Sequence, residues 1–165
     1  MKGEVSVLNN TKGKLPSLPF VLIKEKILGK NYSLSVAFIN KTQSKRINNK
    51  YRKKNNPTNI LSFPLSKKEG EILICPEVAK NETKKFNKNF KELLILLFIH
   101  GCLHLKGLNH GEKMEKLEEK YLSQYSLYTS IKIKYQYQLQ NPWSKVQTIP
   151  SPLVLPNRVC LLPYP

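Results

Sequence analysis

The segment Phe90–Leu105 constrains this chain more than any other. From Leu93 to Ile99 it carries seven consecutive apolar residues. A helix there is apolar around nearly its whole circumference, so it must run through a core with other elements covering it. Seven residues are also far too few to cross a bilayer. The segment leads into His100-Gly101-Cys102-Leu103-His104-Leu105-Lys106-Gly107-Leu108-Asn109-His110, which holds all 3 histidines of the chain. Residues four apart lie about 40° apart around a helix, so His100 and His104 project from one face on successive turns. Gly107 can end the helix in a left-handed conformation and let the chain swing back, bringing His110 to the same ion. Three neutral imidazoles with an open fourth position describe a catalytic zinc site with one Zn2+ per chain, because a structural site normally fills all four positions with protein ligands. Nickel and copper suit the same donors. Cys102, two residues past His100, falls on the opposite side of the helix and reads as packing.

Composition limits the alternatives. A chain of 165 residues supports one domain with a real core and an appendage, not two full domains. The formal net charge of +17 comes from 25 Lys and 3 Arg against 11 Glu, with no Asp. Such a surface favours polyanions, of which nucleic acid is the commonest. The 25 Lys and 15 Asn also fit a general compositional bias, which raises the isoelectric point without any RNA. Cys75, Cys102 and Cys160 are an odd, widely spaced set, which argues against a disulfide framework and for a reducing compartment. The start, Met1-Lys2-Gly3-Glu4, lacks the apolar stretch of a signal peptide. The expectation is a soluble cytoplasmic protein with neither a membrane nor a disulfide partner.

Along the chain, Val5–Leu8 reads as a first strand, and an apolar helix runs from about Ser17 to Leu28, stopped by Gly29. Ser33–Ile39 alternates Leu34, Val36 and Phe38 against smaller residues, as a half-buried strand does. Thr42 to about Lys53 is polar and basic with Ile47 and Tyr51 four apart, which fits a surface helix. Turn residues fill Asn55–Asn59, Ile60–Pro64 is a compact strand, and Glu71–Cys75 is another after Gly70. Pro76 opens a helix to about Phe86, and Asn87–Asn89 breaks the chain before the apolar helix. Glu112 to about Gln124 carries Met114, Leu117, Tyr121 and Leu122 at helical spacing with Glu and Lys between them, a closing amphipathic helix. After Tyr125 the character changes: residues 126–165 hold 6 of the 11 prolines, 4 of the 8 tyrosines and no acidic residue. Ile131 to Leu139 alternates as a strand does, whereas the prolines from Pro142 onward exclude regular structure. The predicted organisation is a domain over 1–125 and a basic, Pro/Tyr-rich, partly disordered tail over 126–165.

The spacing H-x-x-x-H-x-x-G-x-x-H is shared with a large group of zinc peptidases. Those enzymes follow the first histidine with Glu as general base; here the residue is Gly101, and peptide hydrolysis by that route lacks its proton acceptor. The same eleven residues resemble the H-G-x-L-H-L-x-G-Y-D-H signature of the YbeY family of bacterial endoribonucleases, also described as rRNA maturation factors. Upstream, Asn49-Lys50-Tyr51-Arg52-Lys53-Lys54-Asn55-Asn56-Pro57-Thr58-Asn59-Ile60-Leu61-Ser62-Phe63-Pro64 is similar to that family's N-x-x-Y-R-x-x-x-x-P-T-D/N-V-L-S-F-P stretch, and Gly70–Cys75 to its G-D-I-x-I-C strand. The three blocks stand in the family's order, and the resemblance covers roughly residues 1–125.

The resemblance implies an α/β fold, a small mixed β-sheet with helices around a buried helix that carries the three-histidine metal site. It also implies metal-dependent cleavage of single-stranded RNA in ribosomal RNA maturation (16S rRNA processing) and ribosome quality control, with ribosomal RNA and the ribosome as partners. Carried over by position, His100, His104 and His110 become zinc ligands and Arg52 the family's functional arginine. Chemically, Arg52 can clamp a phosphate with its bidentate fork, aided by Lys53 and Lys54 as point charges for substrate binding. Leu108 and Asn109 stand where the signature has Tyr and Asp, and Glu71 where the strand motif has Asp. An amide at 109 can orient a ligand but cannot take up a proton. Glu71 reads as structural rather than as a general base. The rival readings are a non-catalytic ribosome or RNA assembly factor with a structural metal, and a zinc metallopeptidase.

Overall fold

A computed structural model describes residues 2–125. Its apolar segment is the helix on which the rest is laid. This helix, α4 (Phe90–Leu105), buries Leu93, Leu94, Ile95, Leu97, Phe98, Ile99, Cys102 and Leu103. Asn89 starts it with a capping box, its side chain accepting from the Glu92 N–H while the Glu92 carboxylate accepts from the Asn89 N–H.

A four-stranded sheet lies against one side of α4. Its strands are β1 (Val5–Asn9), β2 (Ser33–Phe38), β3 (Ile60–Ser66) and β4 (Glu69–Ile74), in the order β1-β2-β4-β3. β1, β2 and β4 run parallel, and β3 pairs antiparallel with β4 at the edge. The sheet is therefore small and mixed. Alternation along the strands divides the side chains between two faces. Leu34, Val36, Ile60, Ile72 and Ile74 join the main core with α4, while Leu61, Leu73, Cys75 and partly buried Phe63 form a second cluster on the other face.

The connecting helices are α1 (Phe20–Leu28), α2 (Lys41–Arg52) and α3 (Pro76–Phe86), with a fifth helix, α5, over 112–125. α1 starts at Phe20 rather than near Ser17 because Pro19 holds the cap position in a non-helical conformation. β4 begins at Glu69 instead of after Gly70, continuing a tight turn from β3. On α2 the fully buried residues are Ser44 and Asn48, not Ile47 and Tyr51. The Ser44 hydroxyl donates to the Thr58 carbonyl and accepts from the Thr58 N–H, and Asn48 Nδ2 donates to the Asn56 carbonyl. A polar face of α2 thus secures the 54–59 loop, which no apolar periodicity reveals. Lys24 is also fully buried, its Nζ donating to the Gly3 and Lys30 carbonyls. Cys75 and Cys102 are buried free thiols. The expected strand over 131–139, the tail and Cys160 lie outside the described residues.

Candidate metal centre

Helix α4 ends where the sequence expects it to. The Gly107 N–H donates to the His104 carbonyl and the Leu108 N–H to the Leu103 carbonyl, a Schellman pair made possible by the positive φ of 93° at Gly107. The reversal brings His110 over the last turn of the helix. Nitrogen atoms of His100, His104 and His110 then lie within 4.8 Å of one another. The two helical histidines are partly buried and His110 is exposed.

The hydrogen bonds settle which nitrogens are available. His104 Nδ1 lies 2.9 Å from the Leu108 carbonyl, and His100 Nδ1 lies 2.6 Å from Glu118 Oε1. A carbonyl and a carboxylate only accept, so both Nδ1 atoms carry a hydrogen, and in the neutral rings both Nε2 atoms present a lone pair. Those Nε2 atoms are 3.0 Å apart. Two facing lone pairs repel unless a cation or a proton sits between them. Nitrogens that bond one zinc ion at about 2.0–2.1 Å can lie up to about 4 Å apart, and this pair is well inside that limit. Burial, and next the positive charge His100 can carry, hold the His104 imidazole below its ordinary value of 6.5, while the Leu108 carbonyl opposes the shift. The donor set is therefore convergent and suited to a metal ion.

Glu118 was not singled out by sequence reasoning, which places the Glu and Lys residues of the closing helix between its apolar positions. The correction comes from spacing: Met114, Glu118, Tyr121 and Tyr125 lie on one stripe, and the other three are buried. This stripe packs α5 into the main core with α4, and the Tyr125 hydroxyl ties α5 to α1 by donating to the Leu22 carbonyl at 3.1 Å. A carboxylate on an apolar stripe was the available signal. It needs a partner, and His100 is that partner.

Gly101 explains how the helix meets the sheet. A Cβ at this position would lie 2.9 Å from Ile72 Cδ1 and 3.0 Å from both Ile60 Cδ1 and Ser62 Oγ. The position that carries the general base in the zinc peptidases is filled here by the sheet itself. Glu71 faces the other way, since it alternates with Ile72 and lines a groove on the face opposite α4.

The histidines open into a cleft of about 550 Å³ whose walls include Arg52, Tyr51 and the Thr58–Phe63 stretch at the edge of the sheet. Arg52 is the last residue of α2, which stops because Lys53 takes the left-handed conformation with φ of 58°. Its charge is close enough to disfavour protonation of His104. Thus residues 48 or more positions apart in sequence meet in one cleft. Lys53 and Lys54 are exposed and do not line it; Lys53 Nζ donates to the Lys50 carbonyl at 3.4 Å.

Comparison with known proteins agrees with this architecture. A family profile described as Endoribonuclease YbeY matches residues 14–126. A protein named Endoribonuclease YbeY from Thermotoga neapolitana is 37% identical over 126 residues, covering 73% of this chain and 84% of its own. Its namesake from Thermodesulfovibrio yellowstonii is 39% identical over 139 residues, covering 74% and 82%. The solution structure of TM1509 from Thermotoga maritima superposes with a TM-score of 0.56 at 25% identity, covering 77% of this chain and 93% of that one. With the profile spanning most of the described chain and relatives this similar over most of its length, the chain belongs to the YbeY endoribonuclease family.

Proposed function

We propose that the protein is a zinc-dependent endoribonuclease that cleaves single-stranded RNA, acting on ribosomal RNA in the cytoplasm with the ribosome as partner. The observation that carries this reading is the convergence of three imidazole nitrogens and the Arg52 guanidinium on one open cleft. His100, His104 and His110 would hold the metal, which when bound supplies a Lewis acid and activates water.

The protein's own groups do the remaining work. Glu118 fixes the ring of His100 and keeps its hydrogen on Nδ1, and the Leu108 carbonyl does the same for His104. Arg52 takes the scissile phosphate in its fork and offsets the charge that builds on the phosphoryl oxygens in the transition state. The surface carrying Lys53 and Lys54 adds attraction for the strand without geometric selectivity.

The test is cleavage of a single-stranded RNA oligonucleotide by the purified protein, with metal content measured alongside. The expected result is cleavage that chelation abolishes and zinc restores, and metal at one equivalent that His104→Ala loses. Equal metal content in wild type and His104→Ala would overturn the ligand assignment. RNA binding that weakens with salt but never leads to cleavage would favour the assembly-factor reading. Cleavage of casein but not RNA would favour a peptidase, against which the closed position at Gly101 already argues.

A further inference from the structure

A second groove, of about 650 Å³, lies on the sheet face opposite α4, between α2 and strands β3 and β4. Tyr51 and Phe63 line both this groove and the histidine cleft. They meet edge to face with ring centroids 5.0 Å apart, so they form the ridge around which one space passes into the other. Tyr51 is 59% exposed and Leu65, further along the groove, is 60% exposed. Neighbouring large apolar side chains left open to water mark a contact surface more often than isolated ones do.

The charge of the groove selects the contact. Arg46 and Lys50 stand on its α2 side, with Lys50 Nζ 5.3 Å from the centre of the Tyr51 ring, and Glu71 is the one carboxylate among its lining residues. Tyr51 is followed directly by Arg52, the group assigned to the scissile phosphate. A stacking ring, a phosphate clamp and two further cations thus follow one another over residues 46–52 of a single helix. Exposed aromatics flanked by Lys and Arg are how proteins hold single-stranded nucleic acid, because every base has a face to stack and every linkage carries a negative charge.

We propose that this groove is a nucleotide subsite for the RNA flanking the cleaved linkage: one base stacks on Tyr51 against Phe63, and Arg46 and Lys50 take the adjoining phosphate. The proposal rests on the RNA-cleaving reading and adds the part of the strand that the metal cleft does not hold.

The experiment measures binding and cleavage separately on the full-length, zinc-loaded protein. Binding is read by fluorescence anisotropy with a labelled single-stranded 2′-O-methyl RNA, and cleavage with unmodified RNA of the same sequence. Tyr51→Ala is expected to weaken binding about fivefold or more, the loss of one stacked base, and to raise KM with little change in kcat. Tyr51→Phe, which keeps the ring, restores both. Lys50→Ala is expected to reduce the slope of log Kd against log salt by about 0.7, one phosphate contact on a single strand. Unchanged binding by Tyr51→Ala, with wild-type cleavage intact, would overturn the subsite and leave the nuclease reading standing. Binding that depends on Tyr51, in a protein that cleaves no RNA, would support the subsite and overturn the nuclease reading.

Discussion

The imidazole of His100 and the carboxylate of Glu118, 18 residues apart in sequence, are 2.6 Å apart in the fold. A hydrogen-bonded carboxylate behind a ligating imidazole fixes its tautomer, orients the ring and raises its basicity, and losing such a partner typically costs about 10- to 100-fold in metal affinity. Glu118→Gln is therefore expected to weaken zinc binding toward the low end of that range, because an amide can still orient the ring. Glu118→Ala should lie toward the high end. Competition titration with a chromophoric chelator checks both, and unaltered affinity in Glu118→Ala would remove the carboxylate from the site.

Acid should act on the same centre. The folded chain holds His104 below its ordinary imidazole value, first through burial, so below about 6.5 the unfolded chain takes up a proton that the folded chain resists. The stability contributed by neutral His104 is present above that value and is lost as pH falls toward the depressed folded value. Metal-free protein is expected to show a falling Tm as pH drops from 7.5 to 5, with a smaller fall in His104→Asn. In the loaded protein, protons compete for the ligand nitrogens over the same range, and metal release should follow.

Gly101 provides a packing test that also bears on the chemistry. Gly101→Ala gains about 1 kcal/mol of helix propensity against an overpacking cost of about 1–3 kcal/mol, so a small net loss of stability is expected. Gly101→Glu adds a buried carboxylate and is expected to destabilise by about 3 kcal/mol or more without creating peptidase activity. Urea unfolding at pH 7.5 measures both, and a fully stable Gly101→Glu would contradict the close approach of α4 to Ile60 and Ile72.

Arg52→Ala is expected to slow RNA cleavage by a factor of about 30 to 1000, the loss of a charge-assisted contact worth about 2–4 kcal/mol in the transition state. Metal content and Tm should not change, because Arg52 is exposed and is assigned to the phosphate. Arg52→Lys should recover only part of the rate, since it keeps the charge and loses the fork. Undiminished cleavage by Arg52→Ala would detach the upstream block from the mechanism.

We propose that the domain ends at 125, so the chain cut after Tyr125 is expected to fold and bind one metal ion. Removal of one further residue costs more than its position suggests. Tyr125 is buried and its hydroxyl donates to the Leu22 carbonyl, so a chain ending at Gln124 should lose about 1.5–3 kcal/mol of burial. Equal Tm values for the two truncated chains would show that the contact between α5 and α1 contributes little.

The sequence by itself determined the local features. Seven apolar residues in a row place α4 in the core, Gly107 ends it, and the intervals of four and six between histidines bring three imidazoles to one point, because each of these depends on helix geometry over a few residues. Strand positions and the α3 and α4 boundaries were legible for the same reason, through alternation, Pro76 and the Asn87–Asn89 break. The tertiary structure decided what depends on distant partners. Glu118 reads as a surface carboxylate until α5 packs across α4, and Ser44 and Asn48 read as solvated until the 54–59 loop returns to them. Arg52 comes to line one cleft with His104, and Tyr51 meets Phe63, only because the sheet order carries α2 and the edge strand to the end of α4 where the histidines lie. Polar pairing leaves no periodic trace in a chain, since one donor and one acceptor from remote segments satisfy each other without any repeating pattern.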